Sequence, residues 1–166
     1  MRDKLTKSDI RKMEDEIKYR VTELRPKLLD DVKEARSHGD LSENFEYHAA
    51  KREKNKNESR IRYLERMIRS AEVIDDSSAS DEVGINNTVT VFFEEEGEEE
   101  EYKIVTTVRT NSLMGLISIE SPLGKALLGK KEGERAEVVT DNGSYHVIIR
   151  HIDKTTTDAD DEINQY

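Results

Sequence analysis

Gly39-Asp40-Leu41-Ser42-Glu43-Asn44 lies between two long runs of helical pattern, and reading it as the bend of a hairpin decides the fold. Upstream, apolar residues recur at Ile10, Met13, Ile17, Val21, Leu24, Leu28, Val32 and Ala35, in steps of three and four. That is the period of an amphipathic or coiled-coil helix. Thr6 as N-cap with Asp9 three residues on resembles a capping box, and Leu5 and Ile10 fall at the positions of a hydrophobic staple. Pro26 interrupts the run, but the period resumes in phase beyond it, which predicts a kink rather than an end. Downstream, Tyr47, Ala50, Lys54, Asn57, Ile61, Leu64, Ile68 and Ala71 keep the same alternation, with two polar members. Folding the chain about residue 40 sets Lys54 and Asn57 near Leu24 and Pro26. A locally loosened seam is expected there, although polar seam residues can also fix register. Roughly 30 residues per helix give an arm about 45 Å long, more than a small domain needs for its own packing. The bend therefore carries Asp40 and Glu43 at the end of an arm, badly placed to support a core and well placed to enter something else.

The composition agrees with an elongated molecule. Charged residues make up 39% of the 166 and hydrophobic residues 34%, too few apolar side chains for one compact globule. There is no cysteine, hence no disulfide framework and no thiolate metal site. Neither a signal peptide nor a membrane span is legible, and a cytoplasmic protein is expected. The net charge of −10 is unevenly spread: residues 1–75 carry +2 and the rest −12. A nucleic-acid partner thus stays open for the first half.

The second half reads as a small α+β domain over 83–153, joined by a polar linker at 76–82 and followed by a polar, disordered tail at 154–166. Strands are expected at Thr88–Phe93, Tyr102–Val108 and Leu116–Ile119, with an exposed turn over Glu94–Glu101. That glutamate run lacks a ligand geometry and reads as a solvated, self-repelling turn rather than a cation site. Ser121-Pro122 starts a short helix that Gly129 ends. A last hairpin follows, with Ala136–Val139 and Tyr145–Ile152 joined by Asp141-Asn142-Gly143.

Several stretches carry a resemblance: Glu34-Ala35-Arg36-Ser37-His38-Gly39-Asp40-Leu41-Ser42-Glu43-Asn44, Glu46-Tyr47-His48-Ala49-Ala50, Ala71-Glu72-Val73-Ile74-Asp75 and Ser121-Pro122-Leu123-Gly124-Lys125-Ala126-Leu127-Leu128-Gly129. Over residues 4–152 the chain resembles the GreA/GreB family of bacterial transcript cleavage factors. The resemblance implies an α+β architecture, with an N-terminal antiparallel coiled coil over 1–75 and a C-terminal FKBP-like domain. It also implies a monomer that docks on bacterial RNA polymerase and inserts the coiled-coil tip through the secondary channel. There Asp40 and Glu43, the family's acidic pair, would help the polymerase hold a catalytic Mg2+ and position a water. The polymerase would then cut the 3′ end of a backtracked nascent RNA, and the chain alone would have no activity. The sequence departs from the family pattern at Phe45, in the basic run Lys51-Arg52-Glu53-Lys54-Asn55-Lys56, and at Thr106–Asn111, which replaces a usually acidic stretch.

Each of these residues also has a plainer reading. From the residues alone, Asp40-Leu41-Ser42-Glu43 is a capping box for the second helix, with Ser42 able to take over as N-cap; the resemblance favours the chemical role. Two carboxylates bind Mg2+ poorly by themselves, so the expected site is shared with the polymerase. Ser42 and Asn44 are candidate tip supports that could hydrogen-bond water or phosphate. Arg36, Lys51, Arg52, Lys54, Lys56 and Arg60 are either a solvated face with pairs such as Lys54 with Glu58 or a track for RNA phosphates. Tyr47 falls on the seam and is expected to pack, while Phe45 could meet the polymerase or a base. His38, His48, His146 and His151 form no metal motif. The rival functions are a channel-binding regulator without cleavage activity and a prolyl isomerase. An aromatic content of 5% with no tryptophan argues against an aromatic-lined proline pocket.

Overall fold

The structure, a computed structural model, describes residues 2–39 and 44–165. It divides into two compact units, residues 1–3 with 9–71 and residues 4–8 with 72–166. Among the described residues no helix is long and apolar enough to cross a membrane.

The first unit is the helical hairpin. Its first arm consists of α1 (Lys7–Tyr19), a π-helical turn (Arg20–Leu24) and α2 (Arg25–Arg36), and α3 (Phe45–Ser70) returns antiparallel to them. Met13, Leu28, Ala35, Ile61 and Leu64, which the 3-4 spacing predicts, are buried in the seam, and so is Met67, whereas the expected Ile68 beside it is half-buried; each large side chain so buried contributes about 1.5–3 kcal/mol.

Pro26 neither ends nor simply kinks the first arm. It has no N–H to donate, and its ring crowds the carbonyl four residues earlier. The turn before it widens accordingly: the Arg25 N–H reaches back five residues to the Arg20 carbonyl. The seam opposite is locked rather than loosened. Asn57, only 2% exposed, accepts from Arg20 Nη1 at 2.9 Å and donates to the same Arg20 carbonyl at 3.3 Å. Arg25 forks onto Glu58 at 2.9 and 3.0 Å, so Glu58 is engaged across the seam and not by Lys54 in the expected i,i+4 pair.

In the second unit a two-residue strand, β1 (Lys4–Leu5), pairs in parallel with β2 (Glu72–Val73). The main sheet contains β3 (Thr88–Phe93), β4 (Glu98–Val105), β5 (Leu116–Ser118), β6 (Arg135–Thr140) and β7 (Gly143–Asp153), in the order β5-β4-β3-β7-β6. All neighbours are antiparallel except β4 and β5. Val89 and Val91 of β3, Ile104 of β4, Val138 of β6 and Val147 and Ile149 of β7 form its core, as period-two alternation requires. Helix α4 (Pro122–Leu127) starts where Ser121 Oγ accepts from the Gly124 N–H at 3.0 Å, and it buries Leu127. A Cβ on Gly124 would lie 1.9 Å from the Ser118 carbonyl oxygen, so only glycine fits this approach. The α+β expectation holds.

Four details differ from the sequence reading. The turn after β3 is confined to 94–97, and Glu98–Glu101 are already in β4. Strand β4 stops at Val105, and Thr107–Arg109 forms a 3₁₀ turn that buries Arg109. The polar segment 76–82 is stitched down by Lys154, whose Nζ donates to Ser78 Oγ and to the Ala79 and Glu82 carbonyls. The stretch after Asp153 is laid along the second unit instead of fraying: Asp161 is ion-paired to Arg109 and Lys103, and Ile163 is buried.

Candidate functional site

The described ends of the hairpin bend are held by three contacts between α2 and α3. Asn44 makes the first. Its Oδ1 accepts from the Tyr47 N–H at 3.0 Å, and its Nδ2 donates to the Ala35 carbonyl at 2.6 Å. One side chain thus caps α3, satisfying a donor that a helix start leaves open, and ties that start to the Ala35 carbonyl, which also accepts from the His38 N–H at 3.2 Å. The second is His38 Nδ1, 2.9 Å from Glu46 Oε2. The third is the Arg36 guanidinium, 5.6 Å from the centre of the Tyr47 ring. Hydrogen bonding to Arg36, reinforced by the nearby cations Lys51 and Lys54, holds the Tyr47 hydroxyl below its ordinary value despite an opposing effect of burial. Gly39, at φ +124°, leaves α2 through a backbone conformation that a side chain would strain.

Asp40, Leu41, Ser42 and Glu43, and with them the acidic pair, lie outside the described residues. Their neighbours bear on one question the sequence leaves open. Helix α3 begins at Phe45 with Asn44 as its N-cap. The capping duty offered to Asp40-x-x-Glu43, or to Ser42, is therefore filled by another residue. Phe45, in the first turn of α3, is 86% exposed and packs on little.

The basic candidates separate into two groups. Arg36, Lys51, Arg52 and Lys56 are exposed and Lys54 is half-buried. Arg52 and Lys56 are one helical turn apart and share a face. Arg60 does not belong with them. It is 9% exposed and forks onto Glu16 at 2.8 and 3.2 Å, and Glu16 also accepts from Arg20 at 2.7 Å. A guanidinium committed in this way is a strut across the seam, not a phosphate ligand. Burial alone would raise the Glu16 carboxyl, but the Arg60 and Arg20 guanidiniums outweigh it and hold the group below its ordinary value.

Sequence reasoning missed the Glu16–Arg20–Asn57–Arg60 cluster and the His38–Glu46 pair. The signal was available: each cross-helix pair lies near mirror positions about residue 40, with opposite charge or hydrogen-bonding capacity.

Two other candidates can be weighed. Among the described residues no group of three or more His, Asp or Glu side chains could hold a metal ion. Members of the glutamate run go to other partners, Glu94 to Arg135 at 2.8 and 2.9 Å and Glu99 to Arg150 at 3.6 Å. A cavity of about 330 Å³ in the second unit is lined by Ile74, Val83, Ile85, Ile119, Leu128 and the polar 75–78 stretch. It has no aromatic wall against which to seat a proline ring.

Comparison with known proteins adds to this geometry. The profile of the GreA/GreB family described as transcription elongation factor, N-terminal, matches residues 4–73, and that of the GreA/GreB C-terminal family matches residues 78–154. The chain is 45% identical over 152 residues to the transcription elongation factor GreA of Streptococcus gordonii, covering 91% of this chain and 95% of that one. GreA of Streptococcus pneumoniae serotype 4 is similar at 44% identity over the same shares. Among solved structures, the GreA factor homolog 1 protein of Thermus thermophilus is similar at 26% identity with a TM-score of 0.43, covering 92% of this chain and 99% of that one.

Proposed function

The chain belongs to the GreA/GreB family of transcription elongation factors, and we propose that it acts on bacterial RNA polymerase during elongation by stimulating the polymerase's own cleavage of backtracked RNA. It is a transcription factor rather than an enzyme in its own right. On this reading it works in the cytoplasm as a monomer. The hairpin enters the polymerase's secondary channel with residues 40–43 leading, and Asp40 and Glu43 act beside the 3′ segment of the displaced RNA.

The observation that best supports a chemical role for the acidic pair is Asn44. With the N-cap of α3 supplied by Asn44, the local-structure explanation for Asp-x-x-Glu loses its force. The donor set fits a shared ion. Mg2+ takes six oxygens in near-octahedral array and keeps much of its water, and two carboxylates supply a minority of that shell. The polymerase and water would provide the rest. A bound Mg2+ would lower the pKa of a coordinated water and stabilise in-line displacement at the phosphate.

The chain's own residues have narrower tasks. Asp40 and Glu43 orient the water and accept its hydrogen bonds. Asn44 and the His38–Glu46 pair hold α2 and α3 together where residues 40–43 leave and rejoin them. Arg36, Lys51, Arg52, Lys54 and Lys56 attract RNA phosphates through charge that carries no sequence information.

The test is RNA 3′-end cleavage in a stalled, backtracked complex of cognate polymerase with Mg2+, comparing wild type with Asp40→Ala/Glu43→Ala. Stimulation should fall by about 10²-fold or more, in line with loss of electrostatic groups from a reacting centre, while polymerase binding persists. Wild-type protein that binds and slows elongation without cleavage would make this chain a regulator without cleavage activity.

A further inference from the structure

Residues 155–166 lie beyond both matched family spans, yet the structure gives 155–165 a defined place on the second unit. Asp161 is the centre of it. Its carboxylate lies 2.7 Å from Arg109 Nη1 and 2.9 Å from Lys103 Nζ. The Asp161 side chain is 7% exposed and that of Arg109 0%. Two residues on, Ile163 is buried. The Asn164 N–H donates to the Val108 carbonyl at 2.7 Å, and its side-chain amide donates to the Thr107 carbonyl at 3.2 Å.

This is how extended peptides are recognised: a charge clasp, an apolar anchor at alternate spacing and a main-chain hydrogen bond. The fit is also incomplete. A cavity of about 360 Å³ remains where the tail faces Met114 and Leu116. On a second 3₁₀ turn, Ser112–Met114, Leu113 is 98% and Met114 72% exposed, two large apolar side chains the tail does not cover. Arg109, one of the two cations of the clasp, lies in the 3₁₀ turn Thr107–Arg109.

We propose that this groove is a peptide-binding site occupied in cis by the chain's own C-terminal segment. Its external ligand is an extended segment of another protein bearing a carboxylate and, two residues later, an aliphatic side chain. The tail is a self-ligand that such a segment must displace, so binding there is gated. The cations explain the carboxylate, the Ile163 seat the aliphatic residue, and the open cavity with Leu113 and Met114 the room for a larger apolar partner. The inference does not depend on the transcript-cleavage reading.

The probe is a labelled synthetic peptide of residues 155–166, added to the full-length chain and to full-length Asp161→Arg, whose own tail is repelled by Arg109 and Lys103. A tethered tail competes at high effective concentration, so the peptide should bind the variant about tenfold or more tighter than wild type. The same peptide carrying Asp161→Arg should not bind. Asn164→Pro in the chain removes both Asn164 hydrogen bonds without touching the clasp and should give an intermediate affinity. Should Asp161→Arg fail to fold, the readout is hydrogen exchange at the Asn164 amide of the wild-type chain. Excess peptide should accelerate it and leave the Ile149 amide unchanged. No binding to a folded variant, binding indifferent to the peptide's aspartate, or unaltered Asn164 exchange would overturn the proposal. Concentration-dependent dimerisation of the wild type by tail exchange would assign the groove to a second copy and overturn the external partner.

Discussion

Asn44 carries more of the account than any other described residue. It performs two structural tasks at once, capping α3 and bonding to the end of α2. Asn44→Ala should lower thermal stability by about 1 kcal/mol, the usual cost of losing an N-cap. It should also weaken cleavage more than that loss explains, because the frame around residues 40–43 slackens. Asn44→Asp keeps the cap and loses the bond to Ala35, so comparing the two by melting and by cleavage separates the tasks. Glu16 offers a second test. Its folded carboxyl titrates below the ordinary value of 4.5, with the Arg60 and Arg20 guanidiniums outweighing burial. A depressed carboxyl stabilises the fold above its unfolded pKa, and the contribution disappears as pH falls through the folded one. Glu16→Gln should therefore cost about 1–3 kcal/mol at neutral pH, and the gap from wild type should narrow once the pH drops below about 4.5. Urea melts at pH 7 and pH 3 check this, and an unchanged gap would remove the ion cluster from the account.

At the scale of elements, legibility followed the range over which the signal acts. The hairpin was readable because Ile61, Leu64, Met13 and Leu28 repeat at a period that only a helix turns into one face. Helix α4 was readable because Ser121, Pro122 and Gly129 mark its ends locally. The π-helical turn was not: Pro26 announces a disturbance, but its form depends on Asn57 and Arg20, 37 positions apart. Strand β4 began earlier than expected because Glu98–Glu101 show no apolar alternation, their backbone being recruited by β3. Among the candidates for an RNA-phosphate track, the sequence identifies basic side chains but does not tell a strut from a surface charge, which groups Arg60 with Lys51 and Arg52. The corrected division makes a prediction. Lys51→Ala/Arg52→Ala/Lys56→Ala should reduce RNA crosslinking, make cleavage more salt-sensitive and leave the melting temperature nearly unchanged. Arg60→Ala should do the reverse, lowering stability first. Equal effects on stability and crosslinking for the two variants would erase the distinction.

At the scale of the whole chain, function is divided as charge is. Residues 1–75 are nearly balanced and carry the basic track, and the remainder holds the −12. On the proposed reading, net repulsion between that acidic half and nucleic acid would confine RNA contact to the hairpin. The division of charge is legible in the amino-acid sequence by composition alone. The docking of 154–165 was not legible, because it rests on Arg109 meeting Asp161 across 52 positions in a stretch whose composition is that of a tail. The central proposal is that Asp40 and Glu43 help the polymerase hold its catalytic magnesium more tightly than it does alone. The measurement that tests it most directly is the cleavage rate of a backtracked complex against Mg2+ concentration, at saturating wild type and at saturating Glu43→Gln, a variant that keeps shape and removes charge. The account predicts that wild type lowers the Mg2+ concentration needed for half-maximal cleavage and that Glu43→Gln returns it toward the factor-free value. A half-maximal concentration identical for wild type, variant and polymerase alone would contradict it.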